Sequence, residues 1–393
     1  MKILYIDLKL QYLNPTRQLI PNILSKIATL KIFGPGFVSR DTLSLGINSF
    51  IKKKGPFDLI LMSELVFFLQ ITDIKLLKQG LRRNYWFDFD INDVDFLEKD
   101  LTLLEKIELP KGSFFLESDY FNFTQQQIDL VEKNLDFFIG WNQQFVEKIE
   151  NLPHLESETF FPKPNNNWRN LCLRVPEKNI PLLHFTGDSE LNYSSIDFRD
   201  KFWCVPGVEY DLRKKAKRAL EKAGIKVSGK HLNIGGLLQK IRLNPYSYRL
   251  FQNYLRWRFR EDIIDSKFSY TCGSRLKYPI RKYFEIPALG SLLVCNPCCG
   301  FESIGFKNKY NAIECEPDEI PDLHEWLIKN QEEVQIIIQN GQRLIIDSHS
   351  TDARAKQLKI ALDSILKDEW EGAEWVAGRF QPIRKKYSES SFL

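Results

Sequence analysis

Four cations crowd one short stretch in the second half of the chain: Arg275, Lys277, Arg281 and Lys282. Glu285 follows them, and then Gly290 and Ser291. Guanidinium and ammonium groups match the charge and donor geometry of a diphosphate, and a glycine lets backbone approach such a group closely. The Gly-Ser turn leads into LLVC (292–295), an apolar run that reads as a buried strand. The chemistry to expect is capture of a diphosphate, with Arg275, Lys277 and Arg281 as the clamp and Lys282 next. Helical spacing does not aim all four cations at one ligand, so at least one faces solvent.

A reaction at such a ligand also needs a general base within hydrogen-bond reach. Glu117 and Asp119 close GSFFLESDY (112–120), a strand that ends in acids, and are the leading candidates. Glu64, after FDLILMS (57–63), stands behind them. His184 in PLLHFTG (181–187) and His154 are the histidine alternatives. Each has a plainer reading: strand-end carboxylates cap helices or pair with cations, and a lone histidine on an apolar strand packs in a core. CNPCC (295–299) lacks a second Cys/His pair at ligand spacing, so no metal is expected. Seven cysteines scattered through the chain read as reduced thiols.

The elements that position these groups alternate. KILYIDL (2–8) is a strand, 18–29 a helix, and KIFGPGF (31–37) a strand ending in a Gly-Pro-Gly turn. Gly36 of that turn lies where open parallel sheets bind ligands. With strands at 57–62, 112–117 and 134–140, residues 1–160 read as a Rossmann-like α/β domain. FFPKPNNNW (160–168) breaks the periodicity, which makes 161–180 a linker. The second α/β domain spans 181–351 and opens with a strand feeding the small-residue loop at Gly187. A basic amphipathic helix at 210–224 reads as mainly solvated lysines, and an aromatic- and arginine-rich helix at 246–264 follows. Residues 352–393 form a closing helical segment.

Several of these stretches resemble one family. FEIPALG (284–290) is similar to the F-E-x-x-A-x-G segment of GT-B glycosyltransferases, especially the CgeB-like group related to spore maturation protein. GFESIGFKNKYN (300–311) and the His349 to Arg354 stretch resemble the segments that follow it, and LPHLESETFFP (152–162) resembles the interlobe connector. The resemblance implies two Rossmann-like domains facing each other across a cleft, an N-terminal acceptor domain, a C-terminal nucleotide-sugar domain, and a last helix crossing back to the first domain. It also implies that Glu285 bonds the donor's ribose or sugar, and that His349 is structural. Retaining enzymes with Glu-x7-Glu carry an acid eight positions before the second Glu; here that position is Lys277, and stereochemistry stays open.

The expected function is sugar transfer from a nucleotide-activated donor to a glycan or lipid-linked saccharide acceptor, without metal or cofactor. A nucleotide-sugar epimerase of the same fold and a non-catalytic carbohydrate-binding subunit are the alternatives. At 393 residues two domains are expected. The 55 basic and 51 acidic residues are too balanced to argue for nucleic acid. No apolar stretch reaches the ~20 residues that span a bilayer, and the N-terminus lacks the apolar core of a cleavable signal. The expectation is a cytoplasmic protein, peripheral to the inner face of a membrane at most.

Overall fold

The computed structural model of the chain describes residues 1–11, 16–104, 106–115, 122–140, 165–182, 184–187, 191, 198–207, 210–229, 241, 244–273, 278–296 and 298–385. Two parallel sheets organise it. The first comprises β1 (Lys2–Ile6), β2 (Thr29–Phe33), β3 (Leu59–Ser63), β4 (Lys111–Phe114), β5 (Phe137–Ile139) and β6 (Asn179–Ile180), in the order β2-β1-β3-β4-β5-β6. The second comprises β7 (Lys201–Cys204), β8 (Val227–Ser228), β9 (Ser266–Thr271), β10 (Leu292–Cys295) and β11 (Ile313–Glu314), in the order β11-β10-β9-β7-β8. β3 and β10 are buried along their whole length, as strands covered by helices on both faces must be.

In both sheets the chain leaves the first strand to one side and returns to the other. The strand order therefore reverses between β1 and β3, and again between β7 and β9. A crevice opens at the carboxyl ends of the strands at each reversal, and this is where open α/β sheets take ligands.

Three expectations change. Residues 161–180 are more than a connector: their described part supplies β6 and the helix Asn167–Arg174. Trp168 of that helix sits edge-on to Phe115, Phe123 and Phe138, at 5.3, 5.6 and 5.2 Å between ring centroids. A two-residue strand shows no alternation, so the Pro/Asn-rich text around it dominated the reading. Residues 181–187 do not open the second sheet, which starts at β7. They form a junction in which Thr186 N donates to the His349 carbonyl (3.1 Å) and the Thr351 hydroxyl donates to the Thr186 carbonyl (2.9 Å).

The closing segment is only partly helical. The helix Thr351–Leu366 packs back on the first domain's Thr16–Ile27, with Lys26 Nζ 2.6 Å from Asp352 Oδ1. A hairpin of β12 (Trp370–Val376) and β13 (Arg379–Arg384) follows it. Ala377 and Gly378, with φ of 48° and 83°, make the tight turn whose twist suits two antiparallel strands. Trp375 Nε1 donates to the Pro181 carbonyl (2.7 Å), which ties the hairpin to the junction.

Candidate functional site

The crevice of the second sheet collects cations. β7 runs out through Val205 and Pro206 to Gly207, and the helix Asp211–Lys222 begins just beyond. Arg213 in that helix's first turn is fully buried. Its Nη2 donates to the Cys272 carbonyl at the end of β9 (3.5 Å), and its guanidinium lies over the Tyr210 ring at 5.1 Å. Lys282 reaches the same point from the start of the helix Lys282–Ala288, its Nζ 5.5 Å from the Phe259 ring centroid. A Cβ on Gly207 would stand 2.2 Å from Lys282 Cε, 2.6 Å from its Nζ and 3.5 Å from Arg213 Nη1, and φ at this residue is +86°. Only glycine lets the loop lie against both cations. The Thr271 hydroxyl, at the end of β9, is buried with no hydrogen-bond partner among the described residues.

Burial first, and then the Arg213 charge, bring the Lys282 pKa down to about 8. From about pH 8 to its ordinary 10.5 the unfolded chain keeps a proton that the folded chain has lost, so this group's contribution to stability rises with pH across that window. Affinity for an anion runs the other way, since the ammonium is lost. Binding of inorganic pyrophosphate, measured by calorimetry, is expected to weaken as pH rises through about 8. Lys282→Met should remove that component and Lys282→Arg should move it to higher pH. A profile identical in all three proteins would refute the assignment.

At the junction of the two domains Arg281 and Glu285 meet each other. Arg281 Nε donates to Glu285 Oε1 at 2.6 Å, while Nη1 donates to the Thr16 hydroxyl of the first domain and to the Phe185 carbonyl, both at 3.0 Å. Both side chains are buried. The pair one turn apart, expected to face the donor, is here a bolt across the domain boundary. His184 lies beside it. Burial, then the charges of Arg281, Arg354 and Lys282, hold its pKa down to about 3. That leaves it a poor acceptor for a hydroxyl proton at neutral pH.

Arg354 supports this junction from beneath. It is fully buried and donates to the His184 carbonyl (3.0 Å) and to His349 Nδ1 (3.2 Å), while His349 Nε2 donates to the Ile304 carbonyl (2.8 Å). Burial and the Arg354 charge keep His349 neutral, with a pKa of about 3.

The first sheet's crevice is acidic. Asp7, just after β1, accepts from the Tyr5 hydroxyl (2.9 Å) and from the Leu8 amide (2.8 Å). Glu64, just after β3, pairs with Arg17 at the start of the first helix. Burial pushes both carboxyls above the usual range, and Arg17 opposes the shift in each. Glu64 Oε2 is buried without a hydrogen-bond partner among the described residues. Arg17 follows Thr16, the residue that Arg281 grips, so these acids and the junction bolt share one neighbourhood.

Gly290, at φ +75°, turns the chain into β10, and the buried Ser291 hydroxyl bonds the Ser269 hydroxyl at 2.8 Å, so both hold β9 to β10. A Cβ on Gly36 (φ +82°) would meet Lys9 Cβ at 2.7 Å, so this glycine serves the close fit of its turn on the chain after β1. Gly187 ends the junction segment. Arg275, Lys277, Glu117, Asp119 and His154 lie outside the described residues. Cys295 and Cys298 are thiols whose pKa values burial raises. Among the described residues no group of three His, Cys, Asp or Glu side chains is placed to hold a metal ion.

Arg213 and Gly207 escaped the sequence reading. Arg213, Ala216 and Leu220 are the buried residues of their helix, spaced as one face of a helix is. That spacing put an arginine on the inward stripe, a signal that the surrounding lysines hid.

Two facing doubly wound parallel sheets, with a C-terminal helix returning to the first domain, make this the GT-B fold. Two solved structures of one protein bear this out. Anabaena Alr3699/HepE in complex with UDP and glucose matches with a TM-score of 0.51 at 13% identity, over 93% of this chain and 100% of that one. The same protein with UDP-glucose matches at 0.50, with the same identity and coverage. Sucrose-phosphate synthase from Thermosynechococcus elongatus aligns at 0.49 and 10% identity, over 94% of this chain and 100% of its own. No protein-family model and no curated protein matches the sequence.

Proposed function

We propose that this chain is a glycosyltransferase that takes a sugar from a nucleoside-diphosphate donor and passes it to a hydroxyl of a glycan or surface glycoconjugate. The observation that carries this reading is the convergence of Lys282 and Arg213 on Gly207 at the reversal point of the second sheet. In the transfer the acceptor oxygen bonds to the anomeric carbon, the bond from that carbon to the phosphate oxygen breaks, and the diphosphate departs with the electron pair. Negative charge grows on the leaving group, where preorganised cations in a secluded crevice act most strongly. Lys282 and Arg213 supply that charge from the chain itself, and Arg275 and Lys277 are proposed to add to it.

HepE, whose fold the chain shares, has been solved with UDP and with UDP-glucose, which makes a uridine donor the first to try. The resemblance of FEIPALG (284–290) and GFESIGFKNKYN (300–311) to segments of the CgeB-like group supports a reading within that group. For the acceptor's proton, Glu64 joins Asp119 and Glu117 as a candidate: burial raises its pKa toward the range a base needs, and one oxygen is uncommitted among the described residues.

The test is to incubate the chain with UDP-sugars labelled in the sugar, with and without a panel of oligosaccharide and lipid-linked acceptors. Labelled product together with free UDP supports transfer. Intact donor converted to an isomer would identify an epimerase. Saccharide binding with no donor binding or turnover would identify a carbohydrate-binding subunit.

A further inference from the structure

We infer that the exposed face of the helix Pro245–Ile264 is a docking surface for an anionic lipid bilayer. Tyr246, Leu250, Tyr254 and Trp257 are 68%, 52%, 47% and 54% exposed, and their spacing of four, four and three residues puts them on one side of the helix. A soluble fold has no use for four large apolar side chains in line on one helix, although scattered ones are ordinary. Tyr254 and Trp257 pack against each other, at 5.8 Å between ring centroids, and present a joined aromatic surface.

Charge decides the partner. The exposed Arg249 flanks the apolar line on one side and Arg258 on the other. The helix's carboxylates, Glu261 and Asp262, stand in its last turn, and Asp262 is buried between Arg258 (3.4 Å) and Lys201 (3.5 Å). An aromatic and leucine stripe between arginines is the pattern of a helix lying in the headgroup layer, where Trp and Tyr span the polar boundary and Arg reaches anionic headgroups.

Area points the same way. With a whole aromatic side chain covering about 150–250 Å², the exposed fractions amount to roughly 400 Å², well below the ~800 Å² per partner of a stable protein interface. Insertion into a bilayer needs no such area. Among the described residues no helix is long and apolar enough to cross a membrane.

The stripe also borders the cleft. Arg249 lies over the ring of Trp86 at 4.8 Å, and Trp86 is paired with Gln11, just beyond the first sheet's acidic edge. A bilayer held on this face would lie beside the mouth between the domains. The inference stands apart from the sugar-transfer reading, because docking is measured without turnover.

The experiment is sedimentation of the full chain with vesicles of phosphatidylcholine alone and of equal parts phosphatidylcholine and phosphatidylglycerol. The unsubstituted protein is expected to pellet with the anionic vesicles, less so in high salt, and to stay in solution with the neutral ones. The triple variant Leu250→Ser, Tyr254→Ser, Trp257→Ser should bind at least about ten-fold more weakly, and Arg249→Gln with Arg258→Gln several-fold more weakly. Thermal melts check that the variants fold. Trp257→Glu, a single change at an exposed position, carries the same readout should the triple variant melt early. Failure of the unsubstituted chain to pellet with anionic vesicles, or pelleting unchanged by the substitutions, would overturn the inference. So would a concentration-dependent dimer that the triple variant abolishes, which would assign the face to a second copy of the chain.

Discussion

Lys282→Met is expected to weaken UDP binding by about 10- to 100-fold at neutral pH, the scale of one charge-assisted contact to a buried or half-buried anion. Methionine keeps most of the stem that lies along Phe259, so packing changes little and the lost ammonium dominates. Arg213 calls for a gentler change because it is fully buried and bonded to the Cys272 carbonyl. Arg213→Lys retains the charge but loses the fork of donors, and a loss of about 10-fold is expected. The two cations address one ligand, so the double variant should fall short of the product of the single effects. Calorimetric titration with UDP reads all three. Unchanged affinity in both single variants would remove the leaving-group site from this crevice. Weakened UDP binding with intact labelled transfer at saturating donor would keep the site and deny it a role in the chemical step.

The second large effect belongs to Arg281. Arg281→Met leaves the buried Glu285 carboxylate without its cation and cuts the bonds to Thr16 and Phe185, so the expected loss of stability is about 3–5 kcal/mol. At about 2–4 °C per kcal/mol for domains of this size, the melting temperature should fall by roughly 6–20 °C. Replacing both partners, Arg281→Met with Glu285→Leu, should recover part of that loss, since no charge is then stranded. Thermal melts and UDP titrations made side by side separate two roles for the pair. A large melting shift with modest change in UDP affinity fits the domain bolt. A normal melt with lost UDP affinity would return Arg281 to the donor, where its position in the cationic segment first pointed.

Much of the fold was legible because buried parallel strands announce themselves. β1, β3 and β10 contain the unbroken apolar runs 3–6, 59–62 and 292–295, and the helices at 211–222, 245–264 and 320–344 carry periodic or capped text. What stayed hidden was short or non-local. β6 has two residues and exists only because β5 offers it a ladder. The 181–187 stretch reads as a strand by its apolar content, yet the Thr186 amide donates to the His349 carbonyl and the Thr186 carbonyl accepts from the Thr351 hydroxyl, more than 160 positions away.

The candidate site divides along the same line. Its composition was present in the sequence: a cationic segment, a glutamate one turn after an arginine, glycines after strands, acids at strand ends. Residue type and local spacing determine charge, hydrogen-bonding capacity and helix register, and these are enough to expect an anion and a two-domain α/β protein. Partner choice is a different quantity. Whether Arg281 meets a phosphate or Glu285, whether Arg213 points outward with its lysine neighbours or inward beneath Gly207, and whether Ser291 faces a ligand or Ser269 depend on which surfaces the fold brings within about 3 Å. Those distances arise from contacts between residues far apart in the chain, so only the tertiary structure decided that Lys282 and Arg213, and not Arg281, meet at the strand-order reversal of the second sheet.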